Sequence, residues 1–291
     1  MLVFRSLLFA PGNHARRVEK ALTLDADVVI LDLEDAVPVA EKADTREKVV
    51  AAFQPPRRTP GYVRINAFDT PFCFDDLQAV VTRGVDGIVL PKVECPAQLV
   101  AVDWAVAALE RARGLPEGGI DLMPIVETGR GMSELRDIAR SGTRVRRLSF
   151  GAGDYTLDVG MRWTFEEREL DHARTALVVE SRAAGLEAPV DTVFIHLGRP
   201  AELRRSTELV RDLGFQGKLC IHPEQVGPVN EAFTPTDEEI ATSERYVAAF
   251  EEAEARGSVS IQVDGYFIDY PIVEKARRTL QVARAVRTRG D

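Results

Sequence analysis

Cysteine is scarce in this sequence, and the few that occur are scattered. Cys73, Cys95 and Cys220 are odd in number and form no CxxC pair. That argues against a disulfide framework or a cysteine zinc site and suits a reducing, cytoplasmic setting. No apolar run approaches the ~18 residues that a membrane span needs. The N-terminal MLVFRSLLFAPGN is apolar but short, carries Arg5 inside it and is closed by Pro11-Gly12. It reads as a first strand rather than a signal peptide, whose basic residues precede the apolar core. Basic residues are outnumbered, 37 Lys and Arg against 46 Asp and Glu, for a net charge of -9. With no basic stripe to meet phosphates, nucleic acid is excluded as a partner. No P-loop and no Ser–His–Asp arrangement is legible, and GAGDYT lacks the spacing of a dinucleotide fingerprint. Internal repeats, low-complexity segments and linkers long enough to divide domains are absent.

What remains is an ordinary globular balance, 45% hydrophobic and 29% charged. A chain of 291 residues can bury most of its unfolded surface in one core. Short apolar runs recur at 4–10, 27–33, 61–66, 87–93, 121–127, 146–152, 191–197 and 218–223. They are rich in Val, Ile, Leu and Phe without clean polar alternation, as expected of strands buried on both faces. Amphipathic stretches such as 95–113 and 166–185 lie between them. Strand–helix alternation predicts βαβ units, and eight of them predict a closed (β/α)8 TIM barrel. The barrel is expected over 1–235. The remainder, 236–291, is expected to form a helical and hairpin extension. Its turn falls at Asp264-Gly265, a dipeptide suited to a tight hairpin, and its last helix covers roughly 271–288.

A barrel enzyme keeps its chemistry at the C-terminal ends of its strands. Polar residues gather there: Asp32, Glu34 and Asp35 after strand two, Arg64 and Asn66 on strand three, Lys92 and Glu94 after strand four. Glu127 ends strand five, Asp154 follows strand six, and His222 follows strand eight. Two carboxylates on adjacent strands, Glu127 and Asp154, suit a hard cation such as Mg2+, which takes oxygen ligands and keeps waters for substrate to displace. The alternative is that each caps the helix that follows, a common use of Asp. Arg64, inside an apolar strand, requires a charge partner. It reads as an anion clamp, or as a structural pair with Glu34 or Asp35. His222 before Pro223 reads as structural rather than as a base. His14, His172 and His196 carry little signal alone.

The stretches RSLLFAPGN, DVVILDLEDAV, VRIN, GIVLPKVE, ETGRG, LSFGAGD, IHPEQV and VDGYFIDYPIVEKA occur in this order along nearly the whole chain. In this the sequence resembles the citrate lyase β-subunit-like proteins of the HpcH/HpaI aldolase/citrate lyase group, which includes malyl-CoA and citramalyl-CoA lyases. The resemblance implies a TIM barrel in a homotrimer or a dimer of trimers, using Mg2+ (or Mn2+) on a CoA thioester with a 2-keto acid product. It implies Glu127 and Asp154 as metal ligands and Arg64 as the residue holding the substrate carbonyl and carboxylate. It places Asp32, Glu34 and Asp35 near the metal's waters, and Phe9, Arg16 and Lys20 on CoA. Asp269 becomes the acid/base residue, carried on a tail that lids a neighbouring subunit's barrel. The sequence departs from the family pattern after strand seven. Ile195 and His196 stand in the substrate-contacting stretch where relatives often carry an acid, so His196 alters the charge near the CoA or acyl end. Within the same group, the alternatives are a citryl-carrier-protein lyase subunit, an acyl-CoA thioesterase and an aldolase on free keto acids. A non-catalytic barrel subunit is the alternative outside enzymes.

Overall fold

The computed structural model describes residues 3–54 and 56–290, with side chains through 288. The elements run β1 (Ser6–Pro11), α1 (Ala15–Leu22), β2 (Val28–Asp32), α2 (Lys42–Ala52), β3 (Gly61–Arg64), α3 (Cys73–Val80), β4 (Gly87–Leu90) and α4 (Pro96–Ala112). They continue with β5 (Asp121–Val126), α5 (Gly129–Ser133), α6 (Leu135–Ala139), β6 (Ser149–Phe150), α7 (Ala152–Asp158), α8 (Asp171–Ala183), β7 (Val190–Asp191) and α9 (Pro200–Leu213). Last come β8 (Gly217–Cys220), α10 (Val226–Phe233), α11 (Asp237–Ala255), β9 (Ser260–Val263), β10 (Tyr266–Asp269) and α12 (Tyr270–Gly290).

Strands β1 to β8 pair in parallel, in sequence order, and β1 closes on β8. This is the expected (β/α)8 barrel. Closure leaves no edge strand, so every strand is buried on both faces, which is why the runs read as continuous apolar sequence. Leu7, Val28, Ile30, Tyr62, Val89, Met123, Ile125, Val190 and Leu219 form one buried cluster with Phe4. Chain approach is tightest at Gly217: a Cβ there would sit 1.6 Å from the Phe4 carbonyl oxygen. Two strands are shorter than their apolar runs suggest. β6 and β7 are two residues long and pair with each other at Ser149 and Val190.

The chain divides into two compact units, Phe4–Asn230 and, in the main, Glu231–Asp291. The first holds the barrel. The second has its own small core of Phe250, Ile268 and Val273, with Tyr246, Ile261, Val263 and Ile272 packed against it. The Thr236 hydroxyl accepts the Glu239 N–H and the Glu239 side chain returns to the Thr236 N–H, a capping box that starts α11. Asp264 and Gly265 both have positive φ, 51° and 84°. They form the two-residue turn that sets Tyr266 opposite Val263 in the β9–β10 hairpin. Among the described residues, no helix is long and apolar enough to cross a membrane.

Candidate active site at the C-terminal mouth of the barrel

A cavity of about 330 Å³ opens among the strand ends, lined by Phe9, Asp32, Arg64, Glu127, Asp154 and Arg17, with Ile125, Thr192, Val193 and Leu219 beneath. Its polar wall begins in the loop after β2. Asp32 Oδ1 accepts the N–H of Glu34 at 2.9 Å and Oδ2 that of Ala36 at 3.1 Å. This local turn folds the acidic stretch back over the strand end. The buried Lys42 ammonium, on α2, donates to the carbonyl oxygens of Leu33 (2.8 Å) and Glu34 (2.6 Å) and clamps the loop from behind.

Arg64, at the end of β3, donates to both oxygens of Asp32, at 2.7 and 2.6 Å. Its Nη1 lies 3.0 Å from Glu34 and 3.8 Å from Asp35, and its guanidinium stacks 5.0 Å from the Phe9 ring centroid. The pairing expected with Glu34 or Asp35 is present with Glu34, but the two hydrogen bonds go to Asp32, on a side chain that also lines the cavity. Burial opposes the Arg64 charge, yet Asp32 and Glu34 outweigh it and hold the guanidinium firmly protonated. Burial pushes the Glu34 carboxyl up, against the pull of Arg64 and Lys92.

Glu127, one residue past β5, is buried, and its Oε1 accepts the Lys92 N–H at 2.8 Å. It does not cap α5: Thr128 does, accepting the Gly131 N–H at 3.0 Å. Asp154 sits in the first turn of α7, whose N-cap is Gly151 and which has no side-chain cap. Neither carboxylate therefore performs the capping role that was its alternative. Gly151 is required sterically, since a Cβ there would lie 2.2 Å from Glu127 Oε2. Burial first, then Glu34 and Asp154, push the Glu127 carboxyl up to about 8. Arg64 and Lys92 pull the other way, and a divalent cation held by Glu127 and Asp154 would add to their pull. Among the described residues no three His, Cys, Asp or Glu side chains gather to hold an ion unaided. The donor set therefore fits an ion that takes its remaining ligands from water and substrate.

Lys92 enters the site although sequence reasoning gave it no role. Its ammonium lies 2.5 Å from Glu34, 3.5 Å from Asp154 and 3.6 Å from Asp35. The one available signal was a lysine at a strand end amid acids. Lys42 and Arg17 were also missed. Of the residues assigned to CoA, Phe9 lines the cavity, while Arg16 and Lys20 are exposed on α1 and do not. Ile195 is exposed, and His196 lines a separate cavity of about 250 Å³ with Arg199 and His222. His196 packs against Phe165 and Phe194, at 4.5 and 5.4 Å between ring centroids. His222 caps the short turn after β8, its Nδ1 accepting the Glu224 N–H at 3.4 Å. Asn66 is locked by hydrogen bonds to Leu33 O and Asp76. Asp269 closes β10 in the second unit, its Oδ1 accepting the Ile272 N–H at 3.4 Å.

Known proteins share this plan. The chain is 37% identical over 287 residues to the citrate lyase subunit beta of Leuconostoc mesenteroides subsp. cremoris, covering 97% of this chain and 93% of that one. It is 33% identical over 304 residues to an L-malyl-CoA/beta-methylmalyl-CoA lyase of Cereibacter sphaeroides, covering 97% and 95%. Among solved structures, protein CitE of Mycobacterium tuberculosis in complex with magnesium, acetoacetate and coenzyme A superposes with a TM-score of 0.79. It is 27% identical, covering 97% of this chain and 98% of that one. The model of the HpcH/HpaI aldolase/citrate lyase family matches residues 5–223, which span the barrel and every polar residue of its mouth, and the chain belongs to that family.

Proposed function

We propose that this protein is a Mg2+-dependent carbon–carbon lyase. It cleaves, or in reverse forms, a 3-hydroxyacyl-CoA such as malyl-CoA or citramalyl-CoA, giving a 2-keto acid and an acyl-CoA. One observation carries the reading: Glu127, Asp154 and Arg64 line a single cavity at the catalytic end of the barrel. Glu127 and Asp154 are the oxygen donors for Mg2+, or for Mn2+, which accepts the same ligands. When bound, the ion supplies Lewis acidity toward hydroxyl and carboxylate oxygens of the substrate. The relative solved with magnesium, acetoacetate and coenzyme A supports this choice of ion and ligand.

The chain's own groups do the rest. Arg64, pinned by Asp32, offers its guanidinium to the carbonyl oxygen on which negative charge gathers as the carbon–carbon bond breaks. Glu34 and Asp35 stand beside it to orient water and the substrate hydroxyl. Asp269 returns a proton to the carbon of the departing thioester in cleavage and removes it in synthesis. On this reading 236–291, which carries Asp269, is the lid, and in a homotrimer or dimer of trimers the lid serves a neighbouring subunit's barrel. Phe9, Ile195 and His196 are assigned to the acyl and pantetheine end, and the exposed cations Arg16 and Lys20 to the CoA phosphates.

The test is an aldol-cleavage assay on malyl-CoA, citramalyl-CoA, β-methylmalyl-CoA and 3-hydroxy-3-methylglutaryl-CoA, each with Mg2+ and with EDTA. Release of keto acid and acyl-CoA only with Mg2+, lost in Glu127→Ala and Asp269→Ala, is the expected result. Equal release with EDTA would overturn the metal assignment. The 37% identity to a citrate lyase subunit beta supports a second reading, in which the acyl group rides on a carrier protein. Cleavage of a citryl group from carrier protein but from no free CoA thioester would select that reading.

A further inference from the structure

Lys92 touches both proposed metal ligands with two different groups. Its backbone N–H donates to Glu127 Oε1 at 2.8 Å, while its ammonium lies 3.5 Å from Asp154 Oδ2. The same ammonium is 2.5 Å from Glu34 Oε1 and 3.6 Å from Asp35 Oδ2. Holding this posture requires φ 51°, a left-handed backbone that a residue with a side chain seldom adopts. Strain of this kind persists where the surroundings over-determine it, and it clusters at functional positions. Of the arginines that line the cavity, Arg64 is committed to Asp32 through two hydrogen bonds. Lys92 pairs with Asp154, on a long stem whose side chain keeps 32% of its surface open to water.

An ammonium 3.5 Å from Asp154 and a divalent cation on the same carboxylate repel each other. We propose that Lys92 is a tethered competitor of the divalent cation. Its ammonium, held by Glu34 at 2.5 Å, also balances Asp154 while the metal is away and leaves Asp154 for Glu34 and Asp35 alone when the metal enters. Its backbone meanwhile keeps Glu127 aimed into the cavity. Lys92 is thereby a positioning residue that lowers metal affinity to an exchangeable range and delivers its charge to the acids beside Arg64. This rests on the metal-site reading above. A unit charge and a divalent ion a few ångströms apart interact strongly enough that, after solvent screening, removing the ammonium tightens the metal by about tenfold.

The experiment titrates the substrate-free full chain with Mg2+ by calorimetry, and with Mn2+ by electron paramagnetic resonance. It compares wild type with Lys92→Met, Lys92→Gly and Lys92→Arg. Glycine suits the left-handed backbone, so this variant removes the ammonium while relieving strain. The expected result is Kd about tenfold lower in Lys92→Met and Lys92→Gly, with Lys92→Arg within about threefold of wild type. A lysine that merely supported the fold would loosen the metal when removed, the opposite direction. Unchanged or weaker binding in the folded Lys92→Gly variant overturns the proposal, as does equal tightening in Lys92→Arg. Failure of wild type to bind either ion would instead sink the metal-site reading itself.

Discussion

Arg64 and Asp32 occupy the same register position on adjacent strands and are joined by two hydrogen bonds, Nε to Oδ1 at 2.7 Å and Nη2 to Oδ2 at 2.6 Å. Burial alone would raise the Asp32 carboxyl, but Arg64 outweighs it and holds the carboxylate below its usual range. The planar fork matches a carboxylate in a way an ammonium does not. Arg64→Lys is therefore expected to keep a positive charge and lose the aim. Turnover should fall by about 10²-fold, the usual cost of one misplaced charge-stabilising donor, with the protein still folded. Steady-state kinetics beside a thermal melt checks this, and near wild-type kcat/KM would show that the fork is not needed.

Gly151 makes room for a carboxylate. A methyl group there would meet Glu127 Oε2 at 2.2 Å and Ile125 Cγ2 at 3.0 Å. Gly151→Ala should push Glu127 out of position, weakening Mg2+ binding by more than about tenfold. Overpacking of this size costs about 1–3 kcal/mol, so the variant should still fold. Calorimetric titration with Mg2+ and urea unfolding separate the two effects; wild-type metal affinity would count against Glu127 as a ligand.

Lys42 acts on the acidic loop from behind. Replacing it by methionine removes one donor from each of the Leu33 and Glu34 carbonyl oxygens, which keep the Asn66 amide and the Val37 N–H. The loss should be about 1.5–3 kcal/mol of stability, the worth of hydrogen bonds to a charged donor, together with a roughly tenfold drop in kcat as Glu34 loosens. Mg2+ affinity should stay within about twofold, because neither Glu127 nor Asp154 touches Lys42. A large change in metal affinity would refute this separation.

Acid should strike the barrel wall at Asp191. This carboxylate is buried on β7, bonded to Lys218 at the same register on β8 and to Arg174 on α8 at 2.9 and 3.0 Å. Burial works to raise its pKa, but Lys218 and Arg174 outweigh it and hold it below the ordinary carboxylate value. A depressed folded pKa gives stability that is complete above the unfolded value of about 3.9 and is lost as pH falls through the folded value. Asp191→Asn should cost about 3–5 kcal/mol near pH 7, since buried Lys218 loses its carboxylate and Arg174 keeps only Glu167. The gap between wild type and variant should narrow below about pH 4. Urea titrations at several pH values measure it, and a gap independent of pH would contradict the assignment.

Periodicity served the fold well. The eight apolar runs became the eight barrel strands because a closed parallel barrel buries both faces of every strand. The Asp264-Gly265 turn appeared where the dipeptide stood, because those two residue types tolerate positive φ. The strand-end rule also pointed to the mouth, and Arg64, Glu127, Asp154, Glu34 and Phe9 meet there. It could not exclude a helix-capping role for Glu127 and Asp154. That depended on Thr128 capping α5 and on α7 starting at Gly151 with no side-chain cap, details of helix geometry that a residue type does not specify.

Other parts of the site had no local signature. Lys92 reads as one more charge after a strand until its backbone turns left-handed and sets its two donors toward Glu127 and Glu34, residues far from it in sequence. The buried Lys218–Asp191–Arg174 cluster is likewise invisible, because each charge looks solvent-facing until its partners arrive from neighbouring elements. By itself the sequence determined the barrel, its catalytic end and the residue types gathered there, since these follow from patterns repeated along the chain. Only the tertiary structure decided which charges pair, which carboxyl is pushed up and which cation faces the proposed metal ligands. Electrostatic energies depend on distances and burial across strands, and those exist only once the barrel has closed.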